Sequence, residues 1–199
     1  MPRQRDVQAF DDRSSTYESD WRGRMHHDIA ARTARVALAA APRPQRVLDV
    51  GCGTGMLLRM LAEQLPQCLE LVGLDPAPAM VGVARSRARD PRLAFSVGQA
   101  EHLPHPDGSF DLVVSTTSFD HWEDQGAGLR ECARVLRPEG RLVVSDLFSW
   151  WLAPTLVLGR RSHARTRRRA QRLLETAGFE SVSWRRLYML VIGTAVASK

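Results

Sequence analysis

Lysine is almost missing from this chain. Of 28 basic residues only Lys199 is a lysine, so the net charge of +6 is an arginine charge. Arginine throughout, beside abundant alanine, has the character of coding bias, which raises the pI without requiring an anionic partner. Charge alone therefore does not call for nucleic acid. Cysteine is scarce as well. Cys52, Cys68 and Cys132 are odd in number and lack CxxC spacing, which argues against a disulfide frame and against a zinc site. Long apolar runs are also lacking: "WWLAPTLVLG" is too short to span a bilayer and carries a proline. The first residues, "MPRQRDVQAFDDRSS", have no apolar segment behind their basic ones, so no secretory signal is expected. There is no internal repeat and no low-complexity linker. What remains is 199 residues with 44% hydrophobic content, enough to bury one full core. The expectation is a cytoplasmic, single-domain globular protein.

From residue 46 onward, short β-branched runs alternate with runs of helical period, the pattern of βαβ units around a parallel sheet. Strands are expected at 46–50, 69–75, 93–98, 110–115, 141–146, 180–187 and 189–197. Leu58, Leu61, Ala62 and Leu65 mark one buried helical face that ends at Pro66. A second helix fits 76–89, with prolines confined to its start. Leu129, Cys132, Ala133 and Leu136 form a third stripe, and Ala170, Leu173, Leu174 and Ala177 a fourth, with Gly178 as its cap. Ahead of the sheet, 21–40 reads as a helix, and the polar residues 1–20 as partly disordered or a lid.

The stretch "VLDVGCGTG" (47–55) is the most informative one. A carboxylate, Asp49, interrupts a buried-looking strand, and glycines follow at 51, 53 and 55. Placed between a strand and a helix N-terminus, such a loop turns bare amides toward the crevice above the sheet edge. A dinucleotide fingerprint, G-x-G-x-x-G from Gly51, would need a third glycine where Met56 stands. The loop therefore argues against nicotinamide or flavin dinucleotides.

"LDVGCGTG" resembles motif I of the class I S-adenosylmethionine-dependent methyltransferases, and four later stretches agree in order. They are "LVGLDPAPAM", "GQAEHLPHPDGSFD", "FDLVVSTTSFDHW" and "RECARVLRPEGRLVVSD". The match covers roughly residues 46–147 and is nearest to the type 11 small-molecule group. The resemblance implies a Rossmann-like three-layer α/β sandwich with a mostly parallel seven-stranded sheet whose last strand is antiparallel. It implies one methyltransferase domain over 21–199, with 148–178 as an acceptor-pocket insertion. It also implies S-adenosyl-L-methionine as cofactor and S-adenosyl-L-homocysteine as product. The cofactor residues carried over are Asp49, Gly51, Cys52, Gly53, Gly55, Asp75, Pro76, Gln99, Ala100, Thr116 and Tyr17.

Each has a physical rationale beside a plainer one. Asp75, at the end of the second strand, can take both ribose hydroxyls or cap the following helix. Gln99 stands where the family often has Asp; its amide can still bond the adenine edge, with Ala100 beside it. Asp49 either draws the ligand's positive charge or satisfies loop amides. Thr116 would border the methionine part, and Cys52 is a small packing residue. Tyr17 would close over the donor if residues 1–20 fold back.

Methyl transfer from a sulfonium needs alignment and exclusion of water more than acid–base help. A base matters where the acceptor must lose a proton, and His121 in "SFDHW" is the candidate, with Asp120 able to orient it; a surface loop histidine is the alternative. His26 and His27 read as solvated. "STTSFDHW" lacks the two prolines of enzymes that methylate nucleic-acid amino groups, so a small-molecule acceptor is expected. Residues 159–172 hold seven arginines, and Arg161, Arg165, Arg168 and Arg172 fall on one helical face. That face is read as solvated, with an RNA-associated enzyme or a non-catalytic binding protein as the rivals. Phe148, Trp150 and Trp151 suit a flat aromatic or lipophilic acceptor, the core, or a homodimer interface equally well.

Overall fold

Strand β1 (Arg46–Val50) is buried at its last four positions because sheet neighbours flank it on both sides. Its partners are β2 (Glu70–Asp75) and β4 (Phe110–Thr116), both parallel to it. The sheet continues outward through β3 (Leu93–Val97) on one side and β5 (Leu136–Leu147) on the other. Beyond β5 lie β7 (Ile192–Ser198) and β6 (Ser181–Tyr188), giving the order β3-β2-β1-β4-β5-β7-β6. β7 runs antiparallel to both neighbours and the other neighbouring pairs are parallel, as expected. The computed structural model describes residues 4–14, 16–18, 21–148, 166–188 and 192–199. Trp150, Trp151, Arg161, Arg165 and most of the expected 148–178 insertion lie outside the described residues.

Two apolar layers cover the sheet. On one face Val47, Leu71, Leu112 and Val143 meet Ala34 and Ala37 of α2 (Trp21–Ala40), Leu58 and Leu61 of α3 (Met56–Gln64) and Ala84 of α4 (Pro78–Arg87). On the other, Leu48, Val72, Val113 and Val144 meet Leu129 and Cys132 of α5 (Gln125–Val135) and Leu174 of α6 (Arg167–Thr176). Arg168 and Arg172 are exposed on α6 while Ala170 and Leu174 are buried, the solvated-face arrangement.

Two expectations are amended, and part of a third lies outside the described residues. Leu136 does not end a helix: its backbone is extended and it pairs with Phe110, so β5 begins there. A bulge opposite Leu112 and a left-handed Glu139 (φ 65°) then carry the strand past Pro138 into register with β4 at Arg141. Within residues 1–20, read as partly disordered or a lid, Gln4–Asp11 form the helix α1. β7 is described only from Ile192, and residues 189–191 lie outside the described residues.

The end of the central strands remote from the glycine loop is pinned by Asp111. Its buried carboxylate accepts the amides of Gln45 (2.5 Å) and Arg46 (2.7 Å) and pairs with Arg137. Asp111→Ala strands both amides beside β1 and is expected to cost about 3 kcal/mol. Urea denaturation should show a lower midpoint with an unchanged slope.

Candidate functional site

In an open α/β sheet the ligand crevice lies beyond the strand C-termini where successive crossovers diverge. Here that point lies between β1 and β4, because the chain winds outward to β2 and β3 before returning. A cleft of about 680 Å³ opens there, with Gly51, Asp75, Gln99, Thr116 and His121 among its walls. A second recess of about 420 Å³ shares Tyr17, Gly51, Gly53, Thr116 and Thr117 with it and reaches Asp49 and Cys52.

All three loop glycines are left-handed, with φ of 78° at Gly51, 52° at Gly53 and 75° at Gly55. Their reasons differ, which corrects the single rationale drawn from the spacing. A Cβ on Gly51 would stand 2.0 Å from Ser118 Oγ, and one on Gly55 would stand 2.6 Å from the Phe95 ring. These two are bare because the protein's own side chains press on them. Only Gly53 faces open space, and it lines both recesses. Ser118 is a site residue that the sequence did not single out. Its hydroxyl donates to Val50 O (2.9 Å), lies 3.0 Å from Ser115 Oγ, and accepts from Trp122 Nε1 (3.2 Å).

Asp75 is not the N-cap of α4, a position that Ala77 holds, but it ties down main chain on two sides of the cleft. One oxygen accepts from Gly53 N (2.8 Å), the other from Ala77 N (2.9 Å), and the carboxylate still borders the cleft. Each oxygen keeps a lone pair for a further donor. Burial raises its pKa, opposed by those two amides, while the Asp11 carboxylate adds to the rise. Pro76, Gln99 and Ala100 continue the same wall beside Leu74 and Met80.

Two buried polar atoms of residues lining the second recess have no hydrogen-bond partner among the described residues: Asp49 Oδ1 and Thr116 Oγ1. A buried acceptor left unpaired costs roughly 1–3 kcal/mol, so the pair marks where a ligand's donors belong. Burial, then the charge of Asp75, pushes the Asp49 carboxyl up to about 8. Cys52 is buried and its thiol is pushed up, by burial first and then by Asp49 and Asp75, which suits packing rather than attack.

His121 lies on the 3-10 turn Phe119–His121 and borders the cleft. The turn is held by Asp146 at the end of β5, whose buried carboxylate accepts Asp120 N (3.1 Å) and Leu147 N (2.6 Å). Burial raises Asp146 to about 6. Asp146 is another residue that sequence reading passed over.

The N-terminal segment folds back over this site. Asp11 Oδ1 accepts from Ala79 N at the start of α4 (2.9 Å), and Phe10 meets the His121 ring edge-on at 5.1 Å. Tyr17 reaches both recesses, its hydroxyl 3.4 Å from His26 Nδ1 and the rings 4.9 Å apart. His26 is thus half-buried beside Asp49's recess, not solvated; His27 is exposed. Glu18 latches the segment down. It accepts from Thr54 of the glycine loop and pairs with Arg59 (3.0 Å) and Arg87 (2.6 Å). Burial works to raise the Glu18 pKa, but the Thr54 and Arg59 hydrogen bonds and both guanidinium charges hold it below the usual value. A depressed carboxylate stabilises the closed segment above its unfolded pKa and loses that contribution as pH falls through the folded one. Gly23 permits the fold-back, since a Cβ there would meet Glu18 main chain at 2.4 Å. Gly23→Ala should therefore raise amide hydrogen exchange over residues 4–18 severalfold and leave the sheet's protection intact.

With this geometry in place, the comparisons with known proteins are specific. The methyltransferase domain family matches residues 48–144. The demethylmenaquinone methyltransferase of Deinococcus radiodurans is 45% identical over 121 residues, 60% of this chain and 50% of that protein. A tocopherol O-methyltransferase of rice is 35% identical over 160 residues, 68% of this chain and 44% of its own. The chain spans about half the length of the curated relatives it matches. In fold, it superposes with a TM-score of 0.78 on a solved chain from the complex of the Haloferax volcanii Trm112 methyltransferase activator with a methyltransferase. That pair is 24% identical, and the likeness covers 95% of this chain and 96% of the other. A doubly wound sheet with a crevice at its switch point is the class these features define. Residues 48–144 thus match the type 11 methyltransferase domain family, and the relatives named above are methyltransferases.

Proposed function

We propose that this protein moves a methyl group from S-adenosyl-L-methionine to oxygen, nitrogen or carbon of a small-molecule acceptor, leaving S-adenosyl-L-homocysteine. The observation that carries this reading is the recess beside the cleft, which Gly53 lines together with Asp49 and Thr116, whose buried Oδ1 and Oγ1 have no hydrogen-bond partner among the described residues. A ligand ending in an ammonium and a sulfonium supplies the donors and positive charge that such a recess lacks. When bound, the sulfonium offers its methyl carbon to in-line displacement.

The chain's own residues divide the remaining work. Asp75 accepts the ribose hydroxyls with the lone pairs its two amide bonds leave over. Gln99 and Ala100, with Pro76 beside them, receive the adenine. Gly51, Cys52, Gly53 and Gly55 shape the loop, and Tyr17 with Phe10 shields the reacting end from water. His121 stands at the mouth to accept a proton from an acceptor that must lose one, its turn fixed through Asp146. Phe10, Tyr17 and Trp122 give the mouth an aromatic wall that suits a flat, lipophilic acceptor. The names of two relatives, a demethylmenaquinone and a tocopherol methyltransferase, support that class. None of the described helices is long and apolar enough to cross a membrane.

The test is transfer of tritium from methyl-labelled S-adenosylmethionine into a fractionated metabolite extract. Label entering an organic-soluble fraction, and lost with His121→Ala at neutral pH, is the expected result. Label entering only RNA would overturn the small-molecule reading.

A further inference from the structure

Asp49 raises a question that the methyl-transfer reading does not answer. Its neighbours in β1, Leu48 and Val50, are fully buried, and parallel strands lie on either side. Asp49 is 2% exposed, one carboxyl oxygen has no hydrogen-bond partner among the described residues, and its recess has no lysine or arginine among the described residues that line it.

Across the same loop stands a second buried carboxylate, Asp75. Two acids in one dry site resist carrying charge together, and the better-solvated one keeps its charge. Asp75 has two main-chain amides, so it is the anion, and the unpartnered Asp49 holds the proton. The other groups facing Asp49 do not displace that proton. Thr116 of β4 is a neutral hydroxyl, and Cys52 of the loop is a thiol that burial keeps protonated. His26 of α2 is paired with Tyr17, while Arg59 of α3 and Arg87 of α4, which do not line the recess, are engaged by Glu18. The elevation of Asp49 to about 8 has the same origin.

We propose that Asp49 is the residue that tells the sulfonium donor from the spent thioether: it is a neutral acid in the ligand-free cleft, releases its proton to solvent as the cationic donor enters, and takes one back once the methyl group has left. This rests on the S-adenosylmethionine reading of the cleft. The donor carries one more positive charge than S-adenosylhomocysteine and the two otherwise make the same contacts. A charge that appears at Asp49 only for the donor tightens its hold on the substrate and relaxes it on the product.

Calorimetry with the two nucleosides tests this without an acceptor. Titrations run at pH 6.0 and 7.0, below the range where a free α-amino group titrates, in two buffers of different protonation enthalpy. The wild-type chain should release about one proton per donor bound at pH 7, and donor affinity should rise about tenfold between the two pH values. S-adenosylhomocysteine should release fewer protons and show a shallower rise, so the donor-to-product affinity ratio grows with pH. Asp49→Asn keeps the shape and removes the proton; its ratio should be flat with pH, and its heats independent of buffer. The wild-type proton count stands by itself should the variant fold poorly. Donor binding that releases no proton and does not vary with pH overturns the assignment and leaves the methyltransferase reading intact. No donor binding at either pH overturns that reading itself.

Discussion

Gly51→Ala is expected to be the most damaging single-methyl change in the molecule, lowering stability by about 3–5 kcal/mol. Two causes add. The left-handed φ of 78° costs an alanine about 1–2 kcal/mol. The new Cβ would also stand 2.0 Å from Ser118 Oγ, and that hydroxyl cannot step aside without leaving Val50 O, Ser115 and Trp122. Scanning calorimetry should report a melting temperature lower by about 10 °C or more for a chain of this size. Gly53→Ala is the control. Its φ of 52° carries a similar backbone cost, but nothing lies within 4 Å of the added Cβ. The variant should melt only a few degrees lower, about 1 kcal/mol. Its Cβ nevertheless projects over the cleft floor, so donor affinity should fall at least about tenfold, equivalent to roughly 1.4 kcal/mol. Equal melting losses for the two variants would contradict the separate roles given to these glycines.

The second large effect belongs to Asp75. Its carboxylate holds Gly53 N and Ala77 N, and in the proposed complex also the two ribose hydroxyls. Hydrogen bonds to a charged group contribute about 1.5–3 kcal/mol each, so losing two toward the ligand amounts to about a hundredfold or more in affinity. Asp75→Ala removes the loop contacts as well and should also lose about 2 kcal/mol of stability. Asp75→Asn keeps its carbonyl oxygen for one loop amide and should separate the effects, with stability largely kept and donor affinity still reduced. Isothermal titration with S-adenosylmethionine, beside urea unfolding of each variant, checks both halves. Undiminished donor affinity in Asp75→Ala would refute the ribose assignment.

How far these features were legible depended on the range of the contact behind them. The glycine loop and the stripe Leu58, Leu61, Ala62 follow from local pattern, because period and spacing fix which face is buried. The same logic misassigned Leu136. A buried leucine one step after a helical stripe satisfies a helix or a strand equally, and its pairing with Phe110 is invisible locally. Glu18 was illegible for a related reason. Thr54 and Arg59 lie 36 and 41 residues away, and nothing near Glu18 announces a buried ion pair. Ser118 read as an ordinary loop serine, and only its approach to Gly51 reveals why that glycine is needed. His26 read as a solvated helical histidine because the partner that buries it, Tyr17, arrives from a polar segment without periodicity.

The central claim is that the cleft above β1 and β4 binds S-adenosylmethionine through the glycine loop and Asp75. Calorimetric titration of the intact chain with that nucleoside at pH 7 is the most direct test. One saturable site per chain is predicted, with a dissociation constant in the micromolar range, about 1–100 µM, and weakened at least about a hundredfold by Asp75→Ala. A folded, cooperatively melting protein that takes up no heat-detectable ligand, or binds it equally well without the Asp75 carboxylate, would contradict the account.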